Sequence, residues 1–399
     1  MPQTTASGLY SQTKPRIAVV SFPWKSHSPY KFLSELIIIL EPISDQIVLI
    51  DGNTDRIDMG HSSKIVVRDI GICMHYLGDI KPKLFSAFVW IFKWFLFQCR
   101  ASLELARARA DVDVVLFYIA YPGYLLPLVV TKLLRKKSIE VLTRGKPITK
   151  AARVWRLQDP ILYTLLDGIS PESRGLIKEL GIEKYGQKVL PEGARFVDLS
   201  LYKKNKRLSE RANVVGFIGR ISEEKGIVDL IDAIPLAVKE ASDLKFSIVG
   251  SGPLGDWVTE QCNHLSTQWG IDIKRIDWVE EPGLVDYYQE MKLFVLPTYQ
   301  DAFPTTILEA MACGTPVLAT PVGAIPDVII NEVTGFLLES TAPERIAHRI
   351  TTIVNDRELE KVADNAEGLI RQKFTRTAAT ERYDEMLKQV LPDLRRPTV

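Results

Sequence analysis

The order of apolar segments along the chain constrains its fold more than any other feature. Short apolar runs rich in β-branched residues alternate with stretches of helical apolar periodicity, and this alternation occurs twice. In the first half, strands are predicted at Arg16–Ser21, Gln46–Ile50, Lys64–Val67, Val114–Ile119 and Ile139–Leu142. In the second half, they are predicted at Val214–Gly219, Lys245–Val249, Asp272–Ile276, Leu293–Leu296 and Val317–Thr320. Buried strands that alternate with helices are typical of parallel, doubly wound sheets.

Helical patterns separate these strands, at Tyr30–Leu40, Ala101–Ala110, Ile227–Lys239, Trp257–Trp269, Gly283–Met291 and Thr305–Cys313. A chain of 399 residues is long enough for two such domains. We therefore predict an α/β protein with an N-terminal domain at 1–197 and a C-terminal domain at 212–368. The stretch 198–211 is predicted to be a linker, because it contains the polar, basic run Lys203–Arg207. A charged linker is a simpler interpretation than a nucleic-acid site, so no nucleic-acid partner is expected.

The charge of the chain is distributed unevenly. Fifty basic and 49 acidic residues leave a formal net charge of +1. Residues 1–211 hold 32 basic and 20 acidic residues, a balance of +12, and the remainder holds 18 and 29, a balance of −11. Two halves of opposite sign indicate domains that face different partners.

Composition excludes several classes of protein. A hydrophobic fraction of 46% and a charged fraction of 25% are average for folded proteins and exclude disorder, collagen and coiled coil as global descriptions. The four cysteines form no C-x-x-C pair, and none of the five histidines has a recognisable metal-ligand spacing. Residues 1–14 lack the apolar core of a signal peptide. We expect a cytoplasmic protein that needs no disulfide and no metal cofactor.

One glycine motif suggests a dinucleotide site. Gly250–Gly255 fits G-x-G-x-x-G directly after a predicted strand, and Asp272 follows Gly252 by 20 residues, near the place of a ribose-binding carboxylate. The motif is weak, because glycines after any parallel strand let the chain turn, and Pro253 removes one N–H from that turn. An NAD(P)-dependent oxidoreductase is therefore kept as an alternative.

A second motif places two cations after another strand. Gly219 ends the strand, and Arg220 and Lys225 follow on the loop that leads into the helix at Ile227. Ligands of open parallel sheets bind outside the carboxyl ends of the strands. A planar guanidinium and a compact ammonium together suit a diphosphate. The alternative is two surface charges, although cations near a helix start are slightly unfavourable.

A third motif surrounds the predicted helix Thr305–Cys313. A loop carries Asp301, Pro304 opens the helix, and the N–H groups of Thr305 and Thr306 form an anion site. Glu309 lies one turn further in, among apolar neighbours that indicate a largely buried helix.

Together these motifs resemble those of retaining GT-B glycosyltransferases of family 4. The resemblance rests on Gly219-Arg220 with Lys225-Gly226, the Val249–Pro253 turn, the carboxylates Asp301 and Glu309, and Gly323–Asp327. It covers residues 214–330 closely, and over 1–195 it rests on strand order alone. The family implies two Rossmann-like domains facing across a cleft, with the nucleotide-sugar donor mainly on the C-terminal domain and the acceptor mainly on the N-terminal one. It also implies that a helix within 369–399, at Thr375–Val390, crosses back to the N-terminal domain.

The resemblance implies roles for single residues. Arg220 and Lys225 would hold the donor diphosphate and stabilise the leaving group. Asp301 would contact the donor sugar, although the family usually has Glu there, and Glu309 would bind the nucleotide ribose. The other donor-binding residues it implies are Gly219, Gly252, Phe303, Thr305, Thr306 and Val279.

The segment Leu84–Phe97 contains seven aromatic residues and is too short to span a membrane. It is either a core helix or a helix lying in the membrane interface, with Phe88, Trp90 and Trp94 at headgroup level. The positive balance of the first half favours the interface, because basic residues are attracted to anionic lipid.

The expected function is a retaining transfer of sugar from a UDP- or GDP-sugar to a lipid-linked or glycan acceptor in cell-surface glycan or glycolipid synthesis. The expected location is the cytoplasm, peripheral at the inner face of the plasma membrane, with an anionic membrane surface as partner. The alternatives are the oxidoreductase that uses Gly250–Gly255, and a protein that binds nucleotide-sugars without transferring sugar.

Overall fold

The computed structural model describes residues 14–23, 28–52, 62–74, 84–118, 123–143, 156–191, 193, 195–301, 303–392 and 394. The chain divides into two compact units. Unit 1 comprises residues 1–172, 177–194 and 379–399, and unit 2 comprises 173–176 and 195–378.

Unit 1 is built on a parallel sheet that has six strands within the described residues, in the order β3-β2-β1-β4-β5-β6. The strands are β1 Arg16–Ser21, β2 Gln46–Asp51, β3 Ile65–Asp69, β4 Val114–Tyr118, β5 Lys137–Leu142 and β6 Gly168–Pro171. The helices are α1 Ser28–Leu40, α2 Leu84–Arg107, α3 Leu125–Leu133, α4 Asp159–Leu165 and α5 Arg174–Leu180, of which α5 belongs to unit 1 only from residue 177 onward. The central strands are buried along almost their whole length, as expected for a sheet covered on both faces.

Unit 2 repeats this plan, with the strand order β12-β11-β10-β7-β8-β9. Its strands are β7 Val214–Ile218, β8 Lys245–Val249, β9 Ile273–Ile276, β10 Leu293–Leu296, β11 Val317–Ala319 and β12 Phe336–Leu337. Its helices are α6 Ile227–Glu240, α7 Gly255–Trp269, α8 Glu281–Glu290, α9 Thr305–Ala312, α10 Ile325–Val328, α11 Pro343–Val354 and α12 Leu359–Lys373. A last helix, α13 Arg376–Val390, belongs to unit 1 from residue 379 onward. The predicted α/β fold with two doubly wound parallel sheets is confirmed.

The segment 198–211, predicted to be a linker, packs onto unit 2. Tyr202, Leu208 and Arg211 are buried. The guanidinium of Arg211 donates to the carbonyls of Met291 and Cys313, each at 2.8 Å. The segment predicted to be a charged linker is therefore part of unit 2, held there by buried side chains between its charges.

Candidate functional site

The strand order of unit 2 reverses at β7. From β7 the chain extends the sheet through β8 and β9, and then returns to place β10 on the other side of β7, where Leu293 pairs with Val215. In open parallel sheets, ligands bind outside the carboxyl ends of the strands at such a reversal. The loops that follow β7, β8 and β10 therefore form the candidate site.

The loops after β7 and β8 are in close backbone contact. The N–H of Ile221 donates to the carbonyl of Ser251 at 2.9 Å. A Cβ at Gly250, whose φ is +138°, would lie 1.8 Å from the carbonyl oxygen of Gly219, and one at Gly252 would lie 2.3 Å from that of Ile221. The two glycines are therefore required because the loop that carries Gly219 and Arg220 packs directly against them.

The position of Asp272 removes the basis of the dinucleotide interpretation. Asp272 immediately precedes β9, so it lies at the amino end of the sheet, and its carboxylate forms a 2.9 Å ion pair with Lys245 at the start of β8. A carboxylate that binds ribose beside Gly250 would have to lie at the opposite, carboxyl end. The oxidoreductase alternative is not supported.

An ion pair connects the loops at the reversal. The ammonium of Lys225, after β7, contacts the carboxylate of Asp301, after β10, and both side chains are mostly buried. Their loops are joined by the carbonyl of Glu224, which accepts from the Thr298 hydroxyl and the Tyr299 N–H, each at 2.9 Å. The cation thus has a defined position at the mouth of the site.

Arg220 lies on the same loop with its side chain exposed, and within the described residues it has no ion-pair partner. On the facing loop, Phe303 is buried and precedes the start of α9. Thr305 and Thr306 form the first turn of α9, where backbone N–H groups have no acceptor within the helix. The carboxyl edge of the sheet therefore combines a free guanidinium, a paired ammonium and the donors of a helix start.

Glu309 lies one turn into α9 and is 6% exposed. Its Oε2 accepts a 2.8 Å hydrogen bond from the phenol of Tyr288 in α8. Burial, together with the charge of Glu309, raises the pKa of Tyr288 well above its ordinary value, so the phenol keeps its proton and remains a donor. The carboxylate is therefore oriented from inside the protein.

Tyr288 is itself tightly held. Its ring lies edge-on to Tyr202 and Phe294, with centroids 6.1 and 5.9 Å away. Its carbonyl accepts hydrogen bonds from Thr315 and Arg211. Tyr288 and Arg211 were not identified from the sequence, because no motif marks them. The sequence offers one general signal: a tyrosine predicted to be buried, such as Tyr288, normally has a hydrogen-bond partner for its hydroxyl.

The remaining candidates of unit 2 lie at separate points of the same edge. Gly252 follows β8 and is exposed, and Val279 follows β9, where a Cβ at Gly283 would lie 2.8 Å from its Cγ1. The structure brings Lys225 into contact with Asp301, whereas Glu309 contacts Tyr288 from the interior of α9.

The aromatic segment of unit 1 differs from its prediction. It forms one helix with the following residues, α2, and Trp90 is 4% exposed. Trp94 is half-buried and donates its Nε1–H to the carbonyl of Gly123 at 3.2 Å. The assignment of Trp90 to a membrane interface is therefore wrong, because its side chain is buried. Phe88 is 67% exposed, and the interface assignments of Phe88 and Trp94 stay predictions. Phe92 and Phe95 are exposed like Phe88, whereas Phe97 is buried with Trp90.

The described residues contain no group of three or more His, Cys, Asp or Glu side chains that could hold a metal ion. None of their helices combines the length and the apolar character needed to cross a bilayer.

Comparison with known proteins identifies similar families and folds. Residues 200–368 match the family described as Glycosyl transferases group 1. Over 181 residues the chain is 29% identical to the capsular polysaccharide biosynthesis glycosyltransferase CapM of Staphylococcus aureus, covering 45% of this chain and 47% of that protein. It is 26% identical to the N-acetyl-alpha-D-glucosaminyl L-malate synthase of Bacillus anthracis, covering 79% of this chain and 87% of that one. The chain spans about half the length or less of the first curated relatives that it matches.

The fold is also found among solved structures. The crystal structure of Anabaena HepE in complex with UDP superimposes with a TM-score of 0.70 at 18% identity, covering 94% of this chain and 99% of that one. At this identity the likeness shows the fold alone, which is the GT-B fold with two Rossmann-like domains. The family match and the named relatives support a glycosyltransferase.

Proposed function

We propose that the chain is a retaining glycosyltransferase that takes a UDP- or GDP-sugar and transfers the sugar to a hydroxyl of a lipid-linked or glycan acceptor. The observation that carries the proposal is the ammonium of Lys225, held by Asp301 at the strand reversal, with the guanidinium of Arg220 on the same loop. Two cations and a helix start at one sheet edge suit a diphosphate better than any other common ligand.

The proposed chemistry places the new negative charge at these cations. The bond between the anomeric carbon and the diphosphate oxygen breaks, and its electron pair stays on the departing nucleoside diphosphate. The acceptor oxygen bonds to the same carbon from the same face, and its proton passes to the diphosphate. Lys225 and Arg220 stabilise the charge on the leaving group, since groups fixed in advance do not need to reorganise during the reaction. In this proposal the reaction needs no metal ion.

The residues of α9 and its neighbours would bind the rest of the donor. Glu309, oriented by Tyr288, is assigned to the ribose hydroxyls, and Thr305 and Thr306 offer N–H groups to the sugar or phosphate. Asp301 is assigned two roles: its carboxylate holds the ammonium of Lys225 in position, and it contacts the donor sugar. The HepE complex with UDP supports a uridine nucleotide, and the name of CapM supports a glycan acceptor.

Sugar transfer can be tested with Lys225→Ala and a matched control. UDP- and GDP-sugars are screened for release of nucleoside diphosphate in the presence of lipid-linked and glycan acceptors. We expect Lys225→Ala to lower kcat/KM by about 10²- to 10³-fold, the typical effect of losing one group that stabilises transition-state charge. Lys245→Ala, which removes a cation from the amino end of the same sheet, should retain full activity. Equal activity of Lys225→Ala and wild type contradicts the assignment.

The same assay tests the alternative of a protein that binds nucleotide-sugars without transferring sugar. Such a protein would show saturable binding of UDP or GDP with neither transfer nor hydrolysis of any donor. Measurable turnover that depends on Lys225 excludes it.

A further inference from the structure

The exposed apolar side chains of the protein are concentrated on one part of unit 1. Of the fifteen large apolar side chains that are exposed in the described part of the chain, ten lie on α2, on α3, and in the turn before α4 or its first turn. They are Phe88, Ile91, Phe92, Phe95, Leu103, Leu126, Val129, Leu133, Leu157 and Ile161. We call these ten side chains the apolar surface.

Several of these side chains repeat at helical spacing. Phe88, Ile91, Phe92 and Phe95 are spaced three and four residues apart, so they form one stripe along α2. The opposite side of α2 faces the core, with Trp90 and Phe97 buried. A helix packed against its own domain needs a single apolar face. The outward stripe of α2 is therefore an additional apolar face beyond the one that folding requires.

The three helices meet at one residue, which makes the apolar surface continuous. Trp94 of α2 donates to the carbonyl of Gly123, and the N–H of Leu126 in α3 donates to Gln98 of α2 at 3.0 Å. A Cβ at Gly123 would lie 2.2 Å from the Nε2 of Gln158, which lies between the exposed Leu157 and Ile161. The exposed residues of α2, α3 and α4 are thus neighbours on the surface.

The charges around the apolar surface are mostly positive, although Glu104, paired with Arg107, follows Leu103, and Asp159 lies between Leu157 and Ile161. From Leu84 to Leu103, α2 contains no acidic residue and carries Lys93 and Arg100. Helix α3 is also free of acidic residues, and Arg135 and Lys136 follow its end. The nearest acidic partner there, Asp167, is engaged by Lys132 and by Lys137. A large exposed apolar area with a basic rim matches an anionic lipid surface, whose headgroups attract the cations while the side chains enter the acyl boundary.

We propose that the apolar surface binds peripherally to an anionic lipid membrane, with the phenylalanine side chains of α2 inserted and Lys93, Arg100, Arg135 and Lys136 at the headgroups. Long basic side chains can extend along apolar surface to reach headgroups at its edge. This proposal deepens the proposed function, because it assigns unit 1 to a membrane where a lipid-linked acceptor would lie. By binding to the membrane surface, the chain would stay close to an acceptor that is itself held in the membrane.

The test is cosedimentation of the full chain with sucrose-loaded vesicles, either of phosphatidylcholine alone or with 30% phosphatidylglycerol. We expect binding to the anionic vesicles that weakens as salt is raised. The double variant Phe92→Ser/Phe95→Ser should bind these vesicles at least tenfold more weakly, since each change removes an aromatic side chain that would be inserted into the lipid. In Arg135→Glu/Lys136→Glu, the affinity for anionic vesicles should fall at least fivefold for each residue changed.

Controls separate this inference from folding and from the proposed function. Trp269→Ser/Ile330→Ser removes two exposed apolar side chains from unit 2 and should bind vesicles like wild type. Thermal unfolding and UDP or GDP affinity are measured for every variant, and both should be unchanged in Phe92→Ser/Phe95→Ser. Absence of wild-type binding to anionic vesicles overturns the inference and leaves the transfer assay to decide the proposed function. Sedimentation that instead shows a dimer abolished by Phe92→Ser/Phe95→Ser would assign the surface to a second copy of the chain and equally overturn it.

Discussion

A carboxylate as deeply buried as that of Glu309 is stable only when hydrogen bonds replace the water it has lost. Tyr288 supplies one such bond at 2.8 Å, and the ring that carries it lies between Tyr202 and Phe294. A donor with so little freedom fixes the direction of the carboxylate. In the proposed function, Tyr288 is therefore a positioning residue, which acts on the ribose through Glu309.

Removing the hydroxyl of Tyr288 tests this role. Tyr288→Phe keeps the packing of the ring and removes the bond, so we expect UDP or GDP affinity to fall about tenfold, because the carboxylate of Glu309 loses the group that orients it towards the ribose. The specific readout is discrimination between the diphosphate nucleotide and its 2′,3′-dideoxy form, measured by calorimetry. Wild type should discriminate between the two, and Tyr288→Phe should do so much less.

Tyr202→Phe is the matched control for this change. It removes a hydroxyl from the same aromatic cluster, but that hydroxyl donates to Glu281 at 3.4 Å. It should retain wild-type discrimination. Unchanged discrimination in Tyr288→Phe would show that Glu309 keeps its orientation without the phenol.

At the scale of single elements, β5 carries an unusual carboxyl group. Glu140 is buried in the middle of this strand, and burial raises its pKa from 4.5 to about 8, with the negative charge of Asp159 adding to the rise and the Tyr124 phenol opposing it. Between these two values the folded chain binds one proton more than the unfolded chain. The contribution of Glu140 to stability is therefore complete below pH 4.5 and is lost as the pH rises towards 8.

Replacing this group by an isosteric neutral one removes its titration. We expect Glu140→Gln to match wild type in thermal stability at about pH 4, and to exceed it increasingly up to pH 8, by at most ~1.4 kcal/mol per pH unit. Thermal unfolding followed by circular dichroism at several pH values measures this. Glu183→Gln, an exposed position of the same unit, should follow wild type throughout. A constant difference between Glu140→Gln and wild type would mean that Glu140 is ionised in the fold.

Element prediction from the sequence succeeded where the pattern was strongly apolar. Strands β1, β8 and β10 have their predicted bounds, because each is a run of buried residues limited by turn or charged residues. Strands β6 and β12 were missed, since Gly168–Pro171 is not apolar enough and Phe336–Leu337 is too short to give a pattern. The packing of 198–211 was missed because its few buried side chains are spaced irregularly between charges.

Prediction of the site followed the same logic. The loops with Arg220, Lys225 and Asp301 could be located, because the carboxyl end of a parallel strand is recognisable in the sequence and its ligands bind there. The hydrogen bond of Tyr288 to Glu309 joins α8 to α9, and no local pattern encodes a contact between two helices. On α2, the sequence left open whether the aromatic segment is a core helix or a surface helix, because helical spacing alone does not show which side packs against the unit.

At the scale of the whole molecule, the chain separates its two proposed contacts. The basic excess of residues 1–211 coincides with the part that carries the apolar surface, whereas the acidic remainder holds Arg220 and Lys225 in a locally positive loop. Lipid and nucleotide are therefore assigned to different residues in different units. If so, substitutions at one contact should leave the intrinsic affinity of the other unchanged.

The four combinations of Lys225→Ala and Phe92→Ser/Phe95→Ser test this independence. We expect Lys225→Ala to lose nucleotide affinity and keep vesicle binding, the phenylalanine variant to show the reverse, and the combined variant to show both losses without further change. Nucleotide affinity is measured by calorimetry without lipid, and vesicle binding by cosedimentation without nucleotide. A coupling free energy above about 0.5 kcal/mol between the two sets of substitutions would contradict independence and show that the contacts communicate through the fold.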